Sequence, residues 1–505
     1  MLRADHISSA KRLGLDVPVI NAHIQRLKQW IKSGRVGTWP AADSCRVENG
    51  GVLPLSVWQA AVSNKRSPDQ KSFVGFVPAA GASSRYYQPI EDLMEYLRQR
   101  LAGNEPAIPA ITDLSQWPIP ESLRSALSGM RQGQAPSDES VKAITTALSL
   151  PKGLQHCTLD GLSFVEAKAI EAAQLESIES QCLIVPTTHL GRFRSLVKDL
   201  SPQKKHVVMD QGPALCTIRT DESGNPILDG HGELSVVPAG HGALLSLLNR
   251  QTLETQSRSA FIRNVDNVIG IQTEAIDQCK KFMSFHNAAL EIMDDIRSHL
   301  KANDVDRAQV SARALLDSLS IATSGNRSAL AEVQFKVFHT PHAMVDHAVS
   351  AQNAKAWLDL YARPLSVMGM VANTGKDVGG TPMFVHFNDK MVKICLELPH
   401  ASEHDRKHFF ENPAKATHFN PVFCAFELPE KPIDLEVFGK DFWIVAQKKF
   451  EGRSVLYHES ILYELISNSL TTNCVFVEIP RMLFNPHKDI RDASGKSRQD
   501  WGFGH

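Results

Sequence analysis

The stretch FVEAKAIEAAQLESIESQCLIVPTTHLGRFRSLVKDLSPQKKHVVMD, residues 164–210, switches twice between two kinds of pattern. In FVEAKAIEAAQLESI, residues Phe164, Ala167, Ile170 and Leu175 recur at helical spacing, which predicts a helix with one apolar side. CLIVP is a short unbroken apolar run, as a strand buried on both faces requires. LGRFRSLVKDL then reads as a second helix and KKHVVMD as a second strand. Upstream, KSFVGFVPAA is a strand candidate rich in Val and Phe. Downstream, SAFIRNVDNVIG is another, ending in an acid and amides. The resulting βαβαβ order predicts an α/β fold built on a three-layer, mainly parallel sheet. Sites in such sheets lie at the carboxyl ends of the strands. Gly81–Arg85, Gly240–Gly242 and Asn264–Asn267 fall there.

The rest of the chain divides around this core. Residues 1–70 read as an N-terminal helical segment, with Ile20, Ile24, Leu27, Trp30 and Ile31 at helical spacing and Gly34 as a stop. The core spans 71–270 and carries a helical insertion at 90–150, broken by EPAIPA, WPIPES and RQGQAPSDES. The turn DESGNP between two polar strands is a hairpin signal. Residues 271–362 form a second helical insertion, a surface on which a protein partner is expected. Residues 363–490 return to strands, among them PLSVMGMVANTG, TPMFVHFND, KMVKICLELP, DFWIVAQKKF and NCVFVEIP. The polar tail 491–505 is expected to fray.

Composition narrows the function classes. Lys+Arg number 54 and Asp+Glu 55, so bulk charge does not favour nucleic acid, although a local basic pocket remains open. No apolar run approaches the about 20 residues of a membrane span. The start, MLRADHISSAKRLG, carries charges where a signal peptide needs an apolar stretch. Eight scattered Cys without a Cys-x-x-Cys pair point to reduced thiols and a cytoplasmic protein.

Four turns carry chemistry-bearing residues. Ala80-Gly81-Ala82-Ser83-Ser84-Arg85 follows a strand. Backbone N–H groups there would cradle an anion, and the Arg85 guanidinium would add bidentate contacts to phosphate. The plainer reading is a strand exit with Ser caps and a surface Arg. In LPKGL, Pro151 and Gly153 display Lys152, a point charge for phosphate or simply a solvated Lys in a turn. Gly240-His241-Gly242 opens a helix, and its glycines permit close approach to a flat ligand; a polar turn is the alternative. In Arg263-Asn-Val-Asp-Asn267, Asp266 suits Mg²⁺, a hard cation, or else forms an Asx-turn. His404 and His408 lie one helical turn apart like half a zinc site, but with no third ligand a solvated helix face is favoured. The chain has neither a G-x-S-x-G elbow nor an H-E-x-x-H motif.

Taken in order, Gly loop, Pro-Lys, Gly-His-Gly and Asn-x-Asp-Asn resemble the nucleotide-diphospho-sugar transferase superfamily, a Rossmann-like fold, and within it the UTP–sugar-1-phosphate uridylyltransferases. A closer resemblance is to a bacterial family catalogued as a domain of unknown function. PAAGASSR, LPKGL, GHGAL, IRNVDNV, RPLSVMGMVANTG with its later GG, HFNPV and VFVEIP all look like its landmarks, so the likeness covers nearly the whole chain. The resemblance implies that Gly81–Ser84 and Arg85 hold the β- and γ-phosphates of a nucleoside triphosphate. It implies that Lys152 stabilises charge near the α-phosphate, that Gly240, His241 and Gly242 line the nucleobase and ribose, and that Asp266 coordinates Mg²⁺. Asn373, Gly379, Gly380 and Glu397 would lie on the sugar side, which makes 363–490 the sugar-side part of the domain, with Glu397 a second acidic ligand.

The implied reaction is Mg²⁺-dependent nucleotidyl transfer from a nucleoside triphosphate, UTP by analogy, to a sugar 1-phosphate. Two alternatives stand beside it: a catalytically silent sugar-nucleotide-binding or regulatory protein, and a glycosyltransferase, which would need a second carboxylate beside Asp266. The chain departs from the family pattern in three places. A long segment separates Arg85 from Pro151, Tyr86-Tyr87-Gln88 stands where a Lys is expected, and MDQGPALCTI retains only Gln211 and Thr217 of a polar stretch.

Overall fold

The computed structural model describes residues 2–34, 39–63, 73–81, 86–105, 113–198, 200, 204–324, 327–375, 379–435, 442–450 and 452–502. The chain gathers into two units from separated stretches. One comprises Gly75–Asp210, Arg263–Lys280 and Met482–His505; the other comprises Met1–Val74, Gln211–Ile262 and Lys281–Arg481. The 71–270 core read from sequence is therefore shared between both. The fold class is mixed α/β, with parallel pairing in the sheet strands of each unit.

The strand Phe73–Pro78, which belongs to the first unit from Gly75 onward, is buried along its whole length, which is why FVGFVP is an unbroken apolar run. It leads to Ala79, whose N–H donates to the Ile184 carbonyl at 2.8 Å. Strand Ile178–Val185 runs parallel to Lys205–Asp210, with Ser180 opposite Lys205 and Val185 opposite Asp210. The latter strand is only half-buried and begins with a charge, as a sheet edge tolerates.

The connecting helix Phe164–Ala173 starts at a capping box, Ser163 with Glu166. Its burial departs from the one-sided stripe expected. Val165, Lys168, Ala169 and Glu171 are buried along with Phe164 and Ala167, so two charged residues enter the interior. Helices Gln88–Leu101, Glu121–Arg131 and Asp138–Ser149 pack Leu93, Leu123 and Ile144 into the same core as Val77, Leu183 and Val185.

The described part of the tail, 491–502, is anchored where fraying was expected. Ala493 is fully buried, as is Ile490 just before the tail. Leu159 N–H donates to the Lys496 carbonyl at 2.8 Å, and Ile271 N–H to the Trp501 carbonyl at 3.0 Å. Polar composition concealed this because the tail is anchored through its backbone and a few apolar side chains.

In the other unit the strand Leu365–Ala372, buried except at Ala372, is central. Asn473–Glu478 pairs parallel on one side. His418–Phe419 and Phe423–Glu427 pair antiparallel in succession. The break between them falls at Asn420, whose side chain donates to the Gly369 carbonyl at 2.8 Å, and at Val422, which adopts φ 58°.

A second sheet joins Ala41–Ser44, Thr381–Phe387 and Lys390–Leu396. Its hairpin turns at Asn388 and Asp389, both at positive φ, the conformation these residue types tolerate best. The expected DESGNP turn is present, with Asp221 Oδ1 accepting from the N–H groups of Ser223 and Asn225, but it is flanked by the isolated bridge between Thr220 and Pro226 instead of two strands. The helical insertion runs through Val305–Ser318, Ala329–Lys336, His342–Ala351 and Ala354–Tyr361. Asp304, Ser328 and Asn353 serve as N-caps. No described helix is long and apolar enough to cross a membrane.

Candidate functional site

Three of the four motifs meet within the first unit. Pro151 ends one helix and leads into a short turn, Lys152–Leu154. Gly153 is required there by packing: a Cβ would stand 2.9 Å from Val165 Cγ2 and 3.0 Å from Phe193 Cε1. This close seat aims Lys152 inward. Its ammonium donates to Asp266 Oδ2 at 2.7 Å and to the His487 carbonyl at 2.6 Å. Its backbone N–H donates to the Gly81 carbonyl at 3.3 Å, which links the turn to the start of the Gly loop. Gly81 itself is exposed, and a Cβ there would meet nothing within 4 Å. Ala80 is half-buried. Ala82, Ser83, Ser84 and Arg85 lie outside the described residues.

The departure Tyr86-Tyr87-Gln88 has a structural role. Tyr86 and Tyr87 are buried. The Tyr86 hydroxyl donates to the His156 carbonyl at 2.7 Å. Lys152 Nζ lies 5.4 Å from the Tyr86 ring and 5.7 Å from the Phe164 ring, so aromatic faces wall the ammonium on the protein side. Gln88 begins the next helix.

Asp266 is held by a buried ionic cluster beneath it. Glu171 Oε2 accepts from Lys168 Nζ at 3.0 Å and from Arg263 Nη1 at 2.9 Å. Its Oε1 accepts from the N–H groups of Ile269 and Gly270 at 2.7 and 2.9 Å. Burial alone would raise the Glu171 pKa, but the two cations and these N–H groups hold it below the usual value. Lys168 falls to about 8, through burial and then the charge of Arg263. Lys168 and Arg263 also both donate to the Asn267 carbonyl. Asn267 in turn donates to the Leu483 carbonyl at 2.9 Å and accepts from the Asn485 N–H at 2.7 Å.

The loop Asn264–Asn267 is thus fastened from below and from the C-terminal segment. Reading the sequence missed Lys168, Glu171, His487 and Asn485. Only the first two left a signal, a charged pair three residues apart in an otherwise apolar helix. His487 is buried between Phe164 and Trp501, and burial with the nearby Lys152 charge lowers it to about 4.

Gly240, His241 and Gly242 lie in the other unit. Gly240 adopts φ +88°, and a Cβ on it would stand 2.4 Å from Glu459 Cγ and from the Ser460 carbonyl. A Cβ on Gly242 would lie 2.4 Å from Ser460 Cβ. The close approach these glycines permit is therefore to the chain's own backbone. Gly240→Ala is expected to cost about 1–3 kcal/mol in a thermal or urea unfolding experiment, because strain and a backbone clash combine. An unchanged midpoint would show that the segment Glu459–Ser460 yields freely.

Residues expected on the sugar side are in the same unit as Gly240. Asn373 N–H donates to the Thr417 carbonyl, and its Oδ1 accepts from Gly375 N–H at 2.8 Å, an Asx-turn. Gly379 and Gly380 abut the Asn420 carbonyl and the Tyr463 ring. Glu397 N–H donates to Glu464 Oε1 at 2.8 Å, and His400 Nδ1 lies 3.2 Å from the same oxygen.

Burial, then the charge of Glu464, raises Glu397 to about 7. Glu397 is thus protonated in the fold where the unfolded chain has already lost the proton. Its contribution to stability falls as pH rises from about 4.5 to 7. Glu397→Gln is expected to flatten that slope and to gain up to about 3 kcal/mol above pH 7. Urea denaturation at several pH values checks this; parallel slopes in both proteins would exclude it. The rings of His404 and His408 stack at 5.8 Å, and among the described residues no group of three metal-ligating side chains forms. All eight cysteines are free thiols.

No curated protein matches the chain. Among solved structures it is similar to a putative UDP-N-acetylglucosamine pyrophosphorylase from Entamoeba histolytica, with 10% identity over 92% of this chain and 86% of the other and a TM-score of 0.43. It is also similar to the uridine diphosphate N-acetylglucosamine pyrophosphorylase from Trypanosoma brucei, with 12% identity over 90% and 67% and a TM-score of 0.41. A family model matches residues 185–499, a span that holds Gly240–Gly242, Asp266, Asn373 and Glu397 and begins after Gly81 and Lys152. That match takes in more than half of the chain, and the protein belongs to the family described as Domain of unknown function (DUF4301).

Proposed function

We propose that the protein is a nucleotidyltransferase that joins a nucleoside triphosphate, UTP by resemblance, to a sugar 1-phosphate and releases pyrophosphate. The observation that carries this reading is the meeting of Lys152, Asp266 and the exposed Gly81 turn in one unit. The three-layer sheet expected from sequence would place that meeting at the carboxyl ends of strands. An oxygen of the sugar phosphate forms the new bond to the α-phosphorus, and the α–β bridging bond breaks with its electrons leaving on pyrophosphate. The attacking phosphate is already ionised at neutral pH, so no protein base is needed.

The chain's contribution is alignment and charge neutralisation. The Lys152 ammonium meets charge developing near the α-phosphate. The buried Glu171 cluster keeps Asp266 in place. Asp266 Oδ2 and the His487 carbonyl both accept from the Lys152 ammonium, and the Asp266 carboxylate is the hard oxygen donor that would hold Mg²⁺, with phosphate oxygens and water completing its shell. Bound there, Mg²⁺ would neutralise phosphate charge. Arg85 and the Gly81–Ser84 backbone would hold the outer phosphates.

One observation favours the silent sugar-nucleotide binder: Lys152 and Asp266 already neutralise each other. Pyrophosphate release from a panel of nucleoside triphosphates and sugar 1-phosphates with Mg²⁺ separates the two. Turnover with one pair is the expected result; saturable nucleotide binding with no turnover on any pair would replace the enzyme by the binder.

A further inference from the structure

The unit that contains Gly240 holds a pocket of about 460 Å³ with no residue in common with the Lys152 site. Its charged lining consists of Arg250, Arg258, Arg297 and Lys301 against Asp294 and Glu427, four cations to two carboxylates, a formal +2. The carboxylates are already used. Glu427 accepts both Arg297 Nη1 and Nη2, at 2.6 and 2.8 Å, and Asp294 is shared between Arg258 and Arg297. Arg297 also donates to the Tyr361 and Arg363 carbonyls at 2.7 and 3.0 Å, which fixes it as the rigid wall of the pocket.

The surplus positive charge lies with the other three cations. Arg258 is about half exposed, and Lys301 is exposed. Arg250 reaches the exposed Glu430 with Nη2, yet its Nε is buried with no hydrogen-bond partner among the described residues. An unused buried donor beside two accessible cations lacks an acceptor, and leaving it so costs free energy.

We propose that this pocket is an anion site that takes the phosphate group of a phosphorylated small molecule. Guanidinium forks match phosphate oxygens, and a dianion balances the formal +2. The volume exceeds that of a lone phosphate and falls in the range of small-molecule sites. Leu358 and Leu428 supply an apolar surface for the rest of the ligand. Nothing in this requires the Lys152 site to be catalytic.

The test uses full-length protein carrying Lys152→Ala, so that the other anion candidate is weakened, and calorimetry with two probes, glucose 1-phosphate and inorganic phosphate. Saturable binding of glucose 1-phosphate, several-fold tighter than phosphate, is expected. Arg258→Gln with Lys301→Gln, which brings the lining to formal neutrality, should weaken it at least tenfold. Arg258→Lys with Lys301→Arg, which keeps the charge, should retain most of it. Both pairs sit on exposed positions and should melt like the parent. Equal affinity for the two probes would overturn the organic ligand. Unchanged binding in the neutral pair, or no saturable binding of either probe in the parent, would overturn the site.

Discussion

Lys152→Ala is expected to lower pyrophosphate release by roughly 10²–10³-fold, the usual effect of deleting one preorganised charge from a transfer site. The ammonium is walled by the Tyr86 and Phe164 rings and oriented by two oxygen acceptors, so its charge is aimed before any ligand arrives. Loss of the side chain should leave the fold largely intact, at a cost of about 1 kcal/mol, because Asp266 remains partly open to water.

Steady-state kinetics on the active substrate pair, with circular dichroism as a folding control, checks this. Turnover within tenfold of wild type in a folded variant would remove Lys152 from the mechanism. Asp266→Asn should lose turnover comparably and should shift the Mg²⁺ concentration needed for half-maximal rate. Lys152→Ala should not shift that requirement in the same direction, since it frees an acidic oxygen instead of neutralising one.

The largest stability effect is expected at Glu171. Glu171→Gln preserves shape but leaves Lys168 and Arg263 buried against each other without a counter-charge. Removing one partner of a buried ionic group typically costs about 3–5 kcal/mol. Urea denaturation at neutral pH measures it. Lys168→Met is the control, because one cation against one carboxylate remains balanced; it should cost clearly less. A Glu171→Gln protein within about 1 kcal/mol of wild type would mean that Lys168 gives up its proton readily, leaving Arg263 as the single buried charge, and that the cluster does not depend on its carboxylate. Because the same cluster grips the Asn267 carbonyl, Glu171→Gln should also loosen the Asp266 loop, seen as faster amide exchange at Ile269 and Gly270.

Much of the architecture was legible along the chain. FVGFVP and CLIVP read as buried strands because both faces are covered and no polar residue interrupts them. The DESGNP turn was legible because Asx-turn chemistry restricts the residue types allowed there, whereas the hairpin turn at Asn388 and Asp389 was not read from the sequence. The helix Phe164–Ala173 was legible as a helix, but its orientation was not: periodicity pointed to one apolar side, and the fold buried Lys168 and Glu171 as well. A charged pair looks solvated until a third charge, here Arg263, arrives from a distant strand.

The order of chemistry-bearing residues was set by the sequence alone: a Gly turn, a displayed Lys, a Gly-His-Gly and an Asp among amides. So were the residue types each local turn needs, since those depend on nearest neighbours in the chain. Tertiary structure decided which of them meet. Lys152 and Asp266 are 114 residues apart, and Lys152 and the His487 carbonyl 335 apart, separations that no local pattern spans. It also decided that Gly240 and Gly242 serve close packing on Ser460, and that the segment just before the polar tail supplies the carbonyl to which Lys152 donates. Each outcome follows from long-range closure, in which a backbone group or a buried charge takes whichever partner the folded core brings within hydrogen-bond reach.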